Sequence, residues 1–220
     1  MSSRHGTAAA EAAVVWFVCF LGLQTVVLAE PDGLWSRRPW GGDQRGVVRA
    51  IVTSLDEDIV IRPATVADAA AVAGIYNHYV KETVVTFEED EVPASEIARR
   101  IRDVESVSLP WLIAERDASV VGYAYAAKWH SRSAYRFSAE ITVYVDASHT
   151  RTGVGSRLYD QLFPILRARG IHAVVAGIAL PNESSVVLHE RFGLTKVAHF
   201  KEVGFKFNQW IDVGYWQRTL

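Results

Sequence analysis

An α/β sandwich around a central mixed β-sheet is the fold class this sequence predicts, on three observations. Glu140-Ile141-Thr142-Val143-Tyr144-Val145 is β-branched and aromatic, with polar groups at every second position. That pattern is a strand with Glu140, Thr142 and Tyr144 on one face. A polar turn, Asp146 to Thr152, then leads into Gly153-Val154-Gly155 and a helix patterned by Leu158, Leu162, Ile165 and Leu166. Lastly, strand and helix patterns follow one another over residues 58–220 in the order β-α-α-β-β-β-α-β-α-β-β, the signature of an α/β domain.

Ile59-Val60-Ile61 reads as a short first strand. Thr65 and Asp68 have capping-box spacing, and Val72, Ile75, Tyr76 and Tyr79 form the apolar stripe of the helix behind them. His78 on that helix faces the acceptor or satisfies a buried polar contact. A loop from Thr83 to Asp90 carries Phe87, a pocket wall or ordinary packing. Pro93 opens a second helix through Ile97, Ile101 and Val104, with Arg99, Arg100 and Arg102 on its solvated face. Trp111–Glu115 and Val120–Lys128 flank the turn Arg116-Asp117-Ala118-Ser119, a hairpin by length and composition. Trp129 to Tyr135 is a loop with Arg132 and Tyr135. In the glycine-entered helix, Arg167 and Arg169 occupy the last turn and Gly170 ends it, while Pro164 removes one backbone hydrogen bond and predicts a kink or a locally irregular turn. Ile171 to Leu180 is a buried strand, and Pro181-Asn182 breaks it from a helix over Ser184–Arg191 that stops before Gly193. Lys196–Glu202 and Ile211–Arg218 are two last strands joined by a polar loop.

Composition narrows the function. The chain has 220 residues, 50% of them apolar, and a formal net charge of −2, which suits one globular domain with an appendage. A near-neutral charge gives no support for nucleic-acid binding, and the seven tryptophans are spread as core and pocket material. Cys19 is the single cysteine, which leaves no disulfide framework and no CxxC metal site, and fits cytoplasmic chemistry. Residues 1–57 form an N-terminal extension whose apolar segment, 12–29, has three readings. It is a signal or membrane anchor, a functional appendage, or no part of the native product, Met1 being the only methionine. Gly33 to Arg49 reads as loop or disorder.

Glycines at a helix entrance let a backbone approach a ligand closely and leave N–H groups aimed at it, while the helix dipole favours an anion there. Strand, turn and glycine-entered helix together therefore suggest a phosphate-bearing cofactor. No Lys follows the glycines, so this is not a Walker loop, and the three-glycine dinucleotide spacing is missing.

The window Thr150-Arg151-Thr152-Gly153-Val154-Gly155 resembles the acyl-CoA loop of the Gcn5-related N-acetyltransferases (GNAT), with Thr150 where Gln or Arg is usual. Asn77-His78-Tyr79, Pro110 to Glu115, Gly122 to Ala126, Ala139 to Val145, Leu180-Pro181-Asn182 and Trp210 to Gln217 all resemble the phosphinothricin and methionine sulfoximine N-acetyltransferase branch, over roughly residues 59 to 220. The resemblance implies a three-layer α/β/α domain over 58–220 that moves the acetyl group of acetyl-CoA to a small amino-acid-like amine, without a metal. It also implies a strand bulge that splays the sheet, and a homodimer in the manner of many relatives.

It implies site residues as well. Main-chain groups of Val143, Tyr144 and Val145 run alongside the pantetheine arm, Arg151, Thr152, Gly153, Val154, Gly155 and Ser156 hold the pyrophosphate, and Asn182 bonds the CoA arm or simply caps its helix. Glu140 is the general base, because an ammonium must lose a proton before it attacks; the bland reading is an ion pair with Arg132 or Arg136. His189 stands where the superfamily commonly has a Tyr that protonates the leaving thiolate, and an imidazole is able to donate near neutral pH; an exposed helix histidine is the alternative. Arg132 is a natural carboxylate clamp, and Phe87, Tyr135, Thr142 and Glu140 complete the acceptor site. Acetylation of protein N-termini, or a non-catalytic CoA-binding or membrane-tethered module, are the rival readings.

Overall fold

The computed structural model describes residues 59–220 and, in the part before them, the strands Thr25–Ala29 (β1) and Trp35–Pro39 (β2). The chain divides into two compact units, 1–55 and 56–220. In the first, β1 and β2 pair antiparallel from Thr25↔Pro39 to Ala29↔Trp35. Trp35–Pro39 is thus strand where composition reads as loop, and the tail of the apolar segment is strand too. The rest of the 12–29 segment, Cys19 and the remainder of residues 1–57 lie outside the described residues.

The second unit is a seven-stranded mixed sheet. Its strands are Val60–Pro63 (β3), Trp111–Arg116 (β4), Ser119–Lys128 (β5), Ser138–Val145 (β6), Ala173–Leu180 (β7), Thr195–Lys206 (β8) and Gln209–Thr219 (β9). Their spatial order is β3-β4-β5-β6-β7-β9-β8, antiparallel throughout except for β6 beside β7. Helices Ala69–Glu82 (α1) and Ala94–Ser106 (α2) follow β3, Val154–Ala168 (α3) joins β6 to β7, and Glu183–Arg191 (α4) leaves β7.

Two buried clusters show that helices cover both faces. Ala139 and Ile141 of β6 and Val174, Ala176 and Ile178 of β7 pack with Leu158, Leu162 and Leu166 of α3. Trp111, Ile113 and Tyr123 pack with Val72, Ile75 and Tyr76 of α1 and with Ile97 and Ile101 of α2. Each fully buried leucine contributes roughly 1.5–3 kcal/mol. At the start of α1, Asp68 Oδ2 accepts from the Thr65 N–H at 2.8 Å, so the capping spacing was a real start signal. Asn77 holds the chain beyond the Phe87 loop by exchanging two hydrogen bonds with the Val92 backbone, at 2.8 and 3.0 Å.

Helix α3 continues as one element through Pro164, which lies on its exposed side, as does Asp160, whose carbonyl the proline leaves free. Two expectations need correction. The final strands are not joined by a long polar loop: they run on to a two-residue turn, Phe207-Asn208, with φ of 50° and 58°. A bulge in β8 disguises this, since Lys201–Val203 stand opposite Asp212 alone and Glu202 has φ 52°. Finally, the pairing of β6 with β5 is unbroken from Gly122↔Val145 to Lys128↔Ala139, so no bulge against β5 opens the sheet.

Candidate active site

The sheet opens because β6 and β7 part company. They pair in parallel only over Ser138↔Ala173, Ala139↔Val174 and Glu140↔Val175. Beyond Glu140 the edge of β6 from Ile141 to Val145 has no strand on that side among the described residues, and β7 pairs on with β9. An unpaired strand edge offers main-chain donors and acceptors to an extended ligand. One is already engaged: the Tyr79 hydroxyl donates to the Val145 carbonyl at 2.5 Å. The Tyr144 side chain points away from the α3 side, into rings of Tyr76, Tyr79 and Tyr123 with centroids 5.1–5.5 Å off.

The slot leads to the entrance of α3. Gly153 has φ 87° and Arg151 φ 63°, so the chain makes two left-handed steps immediately before the helix. Such alternation turns successive N–H groups inward into a concavity for an anion, reinforced by the helix N-terminus. Gly153 is the position where only glycine sits without strain. Gly155 serves packing instead, since a methyl there would lie 3.0 Å from Leu188 Cδ2 on α4. Thr152 and Thr150 are spent on the turn, their hydroxyls donating to His149 and Ala147 carbonyls at 2.6 and 3.2 Å. Val154 is buried beneath the loop, and Ser156 meets an Arg191 guanidinium nitrogen at 3.5 Å. Arg151 and Arg191 thus bring two cations to the entrance.

On the opposite face from α3, Glu140 stands where the strands diverge. Its carboxylate has no hydrogen bond or ion pair among the described residues, and neither Arg132 nor Arg136 reaches it. Burial raises its pKa above the ordinary glutamate range, opposed by the charge of His130. Gly177, next but one to its β7 partner, leaves room for it: a methyl there would lie 3.2 Å from the Tyr215 ring and 3.7 Å from Glu140 Oε1. The same face holds a cavity of about 380 Å³ lined by Val85, Phe87, Gly177, Ala179, Phe200, Val203, Val213 and Tyr215. Phe87 is therefore a wall of a pocket that begins beside Glu140. Thr142 stands opposite Tyr125 in the ladder, and their hydroxyls interact.

Arg132 and Tyr135 belong to the exposed turn after β5. Arg132 makes no ion pair among the described residues, and the Tyr135 ring packs at 4.8 Å on His130. Asn182 does cap α4, accepting from the Ser185 N–H at 3.1 Å and the Ser184 hydroxyl at 3.1 Å. Its amide nitrogen has no partner among the described residues. His189 is not the exposed helix histidine of the alternative reading. It is only 3% exposed, its Nδ1 lies 2.7 Å from the Ser185 carbonyl and its Nε2 2.8 Å from the Tyr159 hydroxyl. A carbonyl only accepts, so Nδ1 carries the proton. Burial lowers the pKa, so the ring is neutral and Nε2 accepts from Tyr159. No proton on this imidazole faces the slot. Among the described residues no cluster of three metal-ligating side chains forms.

Residues 61–214 match the family model described as an acetyltransferase (GNAT) domain. This chain belongs to the GNAT acetyltransferase family. It is 44% identical over 164 residues to a phosphinothricin N-acetyltransferase of Streptomyces viridochromogenes, covering 74% of this chain and 88% of the relative. It is 34% identical over 162 residues to an L-methionine sulfoximine/L-methionine sulfone acetyltransferase of Salmonella typhimurium, covering 74% and 95%. An acetyltransferase from Salmonella typhimurium, solved with its cofactor acetyl-CoA, superposes with a TM-score of 0.72 at 34% identity, over 74% of this chain and 95% of that one. The fold is accordingly the GNAT α/β fold with a mixed sheet.

Several residues around this slot and pocket were not singled out in the sequence. Gly177 had a usable signal, a lone glycine inside an apolar strand, which marks a close approach. Tyr215, Val85, Phe200 and Val203 had none, since aromatic and β-branched residues in strands are ordinary core material. Arg191 and His130 reach the site only through tertiary placement.

Proposed function

We propose that this GNAT domain transfers the acetyl group of acetyl-CoA to the amine of a small amino-acid-like acceptor of the phosphinothricin or methionine sulfoximine type, by direct attack in a ternary complex. One observation carries the reading: a carboxylate with no partner among the described residues stands where the sheet splits, beside a small pocket walled by Phe87 and Tyr215. The residues present fit acetyl-CoA, because an unpaired strand edge leads to a left-handed glycine turn and two arginines at a helix N-terminus. Acetyl-CoA supplies the thioester carbonyl.

The chain supplies the rest. Free N–H groups on the β6 edge orient the donor and receive the charge that develops on the carbonyl oxygen, a contact typically worth about 3–4 kcal/mol. Glu140, its pKa raised by burial, takes the proton of the acceptor ammonium directly or through a water. Arg132 gives the acceptor carboxylate two parallel donors, assisted by Tyr135 and Thr142. Phe87 and Tyr215 wall the side chain and exclude water. His189 has no proton-transfer role, because both its nitrogens are bonded inside the domain.

The reading includes a homodimer that covers the β8 edge, where Phe200, Val203 and Phe205 are exposed, and a cytoplasmic setting where acetyl-CoA is available. Among the described residues no helix is long and apolar enough to cross a membrane. The test is thiol release from acetyl-CoA across a panel of free amino acids, their analogues, their carboxamides and short peptides. Turnover is expected with free amino acids bearing short polar side chains and not with carboxamides. Preference for peptides would replace this reading with protein N-terminal acetylation.

A further inference from the structure

The loop that carries Phe87 is held from several sides. Within its own neighbourhood, the Tyr76 and Thr86 hydroxyls meet at 2.7 Å, the Thr83 hydroxyl donates to the Tyr79 carbonyl at 2.8 Å, and Arg100 reaches Glu88 at 2.8 Å. A further hold comes from the far end of the chain. Lys206, the last residue of β8, donates its Nζ to the Thr86 carbonyl at 2.9 Å.

Lys206 is unusual in two respects. It is 2% exposed, yet it forms no ion pair among the described residues. Glu88 and Glu89 act on it only at a distance, and burial pulls its pKa below the ordinary lysine range. The Phe207 ring lies 5.0 Å away. Burying an ammonium against one carbonyl is costly, and an apolar residue would pack a strand end more favourably. Two residues before it, Gly204 accommodates the ring itself: a methyl there would fall 2.4–2.8 Å from three carbons of Phe87. One short stretch of β8 therefore supplies a floor beneath Phe87 and a hook on the carbonyl that precedes it.

We propose that Lys206 is a positioning residue for the acceptor pocket, acting through the Thr86 carbonyl to fix the Phe87 ring over Gly204 and so to set which acceptor side chains fit. The inference rests on the reading of this pocket as the acceptor site. Beyond the pocket walls that the β8–β9 hairpin already supplies, it gives the hairpin a hold on the loop that carries Phe87.

The test compares Lys206→Met, which keeps the stem and loses the donors, with Lys206→Arg and Gly204→Ala. Steady-state kinetics are taken with acceptors of graded side-chain length, the KM for acetyl-CoA is measured separately, and hydrogen exchange is followed over residues 83–90. Lys206→Met should raise the acceptor KM about tenfold or more, the usual consequence of losing a hydrogen bond from a charged group. It should also reorder the acceptors, leave the acetyl-CoA KM unchanged and speed exchange in the loop, and Lys206→Arg should recover most of the loss. If Lys206→Met does not fold, Gly204→Ala must give the same split between the two KM values. Equal changes in both, or a lowered Tm with unaltered acceptor ranking, overturn the inference alone. An unmodified enzyme that turns over no amino-acid acceptor overturns it together with the proposed function.

Discussion

At the scale of single residues the proposed base is Glu140, whose environment should make activity and stability pull in opposite directions. Its folded pKa is raised by burial, so the folded state holds the proton more tightly than the unfolded chain. Stability from this group is therefore full below the unfolded pKa and is lost as pH rises through the folded one, leaving the ionised form a burden at neutral pH. Glu140→Gln should then raise Tm at pH 7 while lowering kcat on the order of 10²-fold or more, with acetyl-CoA affinity intact. Calorimetry and initial rates on one preparation check both; a variant that loses Tm, or loses CoA affinity in proportion to rate, would take Glu140 out of the chemistry. With Glu140 as the proposed base, the same shift should carry the acid limb of kcat/KM above the ordinary glutamate range. His130→Ala should move that limb higher still, because the charge that opposes the shift is removed. The strand position of Glu140 was legible from sequence, whereas its lack of an ion pair with Arg132 or Arg136 was not, because that depends on where the loop after β5 settles. His189 was not legible either: its buried state depends on Tyr159, thirty positions earlier and on another helix.

At the scale of elements, the two glycines at the head of α3 look equivalent in sequence and are not equivalent in the fold. Gly153 adopts φ 87° with open space around it, whereas Gly155 has an ordinary helical conformation and faces Leu188. Gly153→Ala forces a side chain into the left-handed region at about 1–2 kcal/mol, and should raise the KM for acetyl-CoA several-fold with the acceptor KM unaffected. Gly155→Ala presses only on a terminal methyl and should show its effect mainly in Tm. Parallel losses of acetyl-CoA binding in both would mean the turn is not the phosphate contact. His189 belongs to the same pair of helices, clasping α4 to α3 through Tyr159. His189→Ala should cost about 1–3 kcal/mol of stability and leave the shape of the pH–rate profile unchanged, whereas loss of a basic limb would restore it as the thiolate acid. Element order was readable because patterns of period two and 3.6 alternate cleanly here. The parting of β6 and β7 was not, since it lies in where pairing stops and Ile141–Val145 has the composition of any central strand. The β8 bulge hid the final turn for a related reason: Glu202 takes a left-handed φ with no glycine to announce it.

At the scale of the whole molecule, the assigned groups all come from one of the chain's two compact units. The family match spans 61–214, and Glu140, Arg132, Phe87, Gly153, Asn182 and Lys206 lie within 56–220, each reached from the common sheet. Sheet order explains why residues so far apart in sequence converge: β7 crosses in beside β6, and β9 with β8 completes the acceptor face from the other edge. The pocket accordingly depends on the last strands of the chain as much as on the central one. Among the described residues, both clusters that hold the sheet, one against α3 and one against α1 and α2, are built from Ile59 onward. A chain starting at Asp56 should therefore fold with an unchanged Tm and keep kcat and both KM values, as measured beside the full-length protein. A lowered Tm, or lost acceptor turnover, would mean that residues 56–220 are not sufficient for the stability or the activity of the full chain.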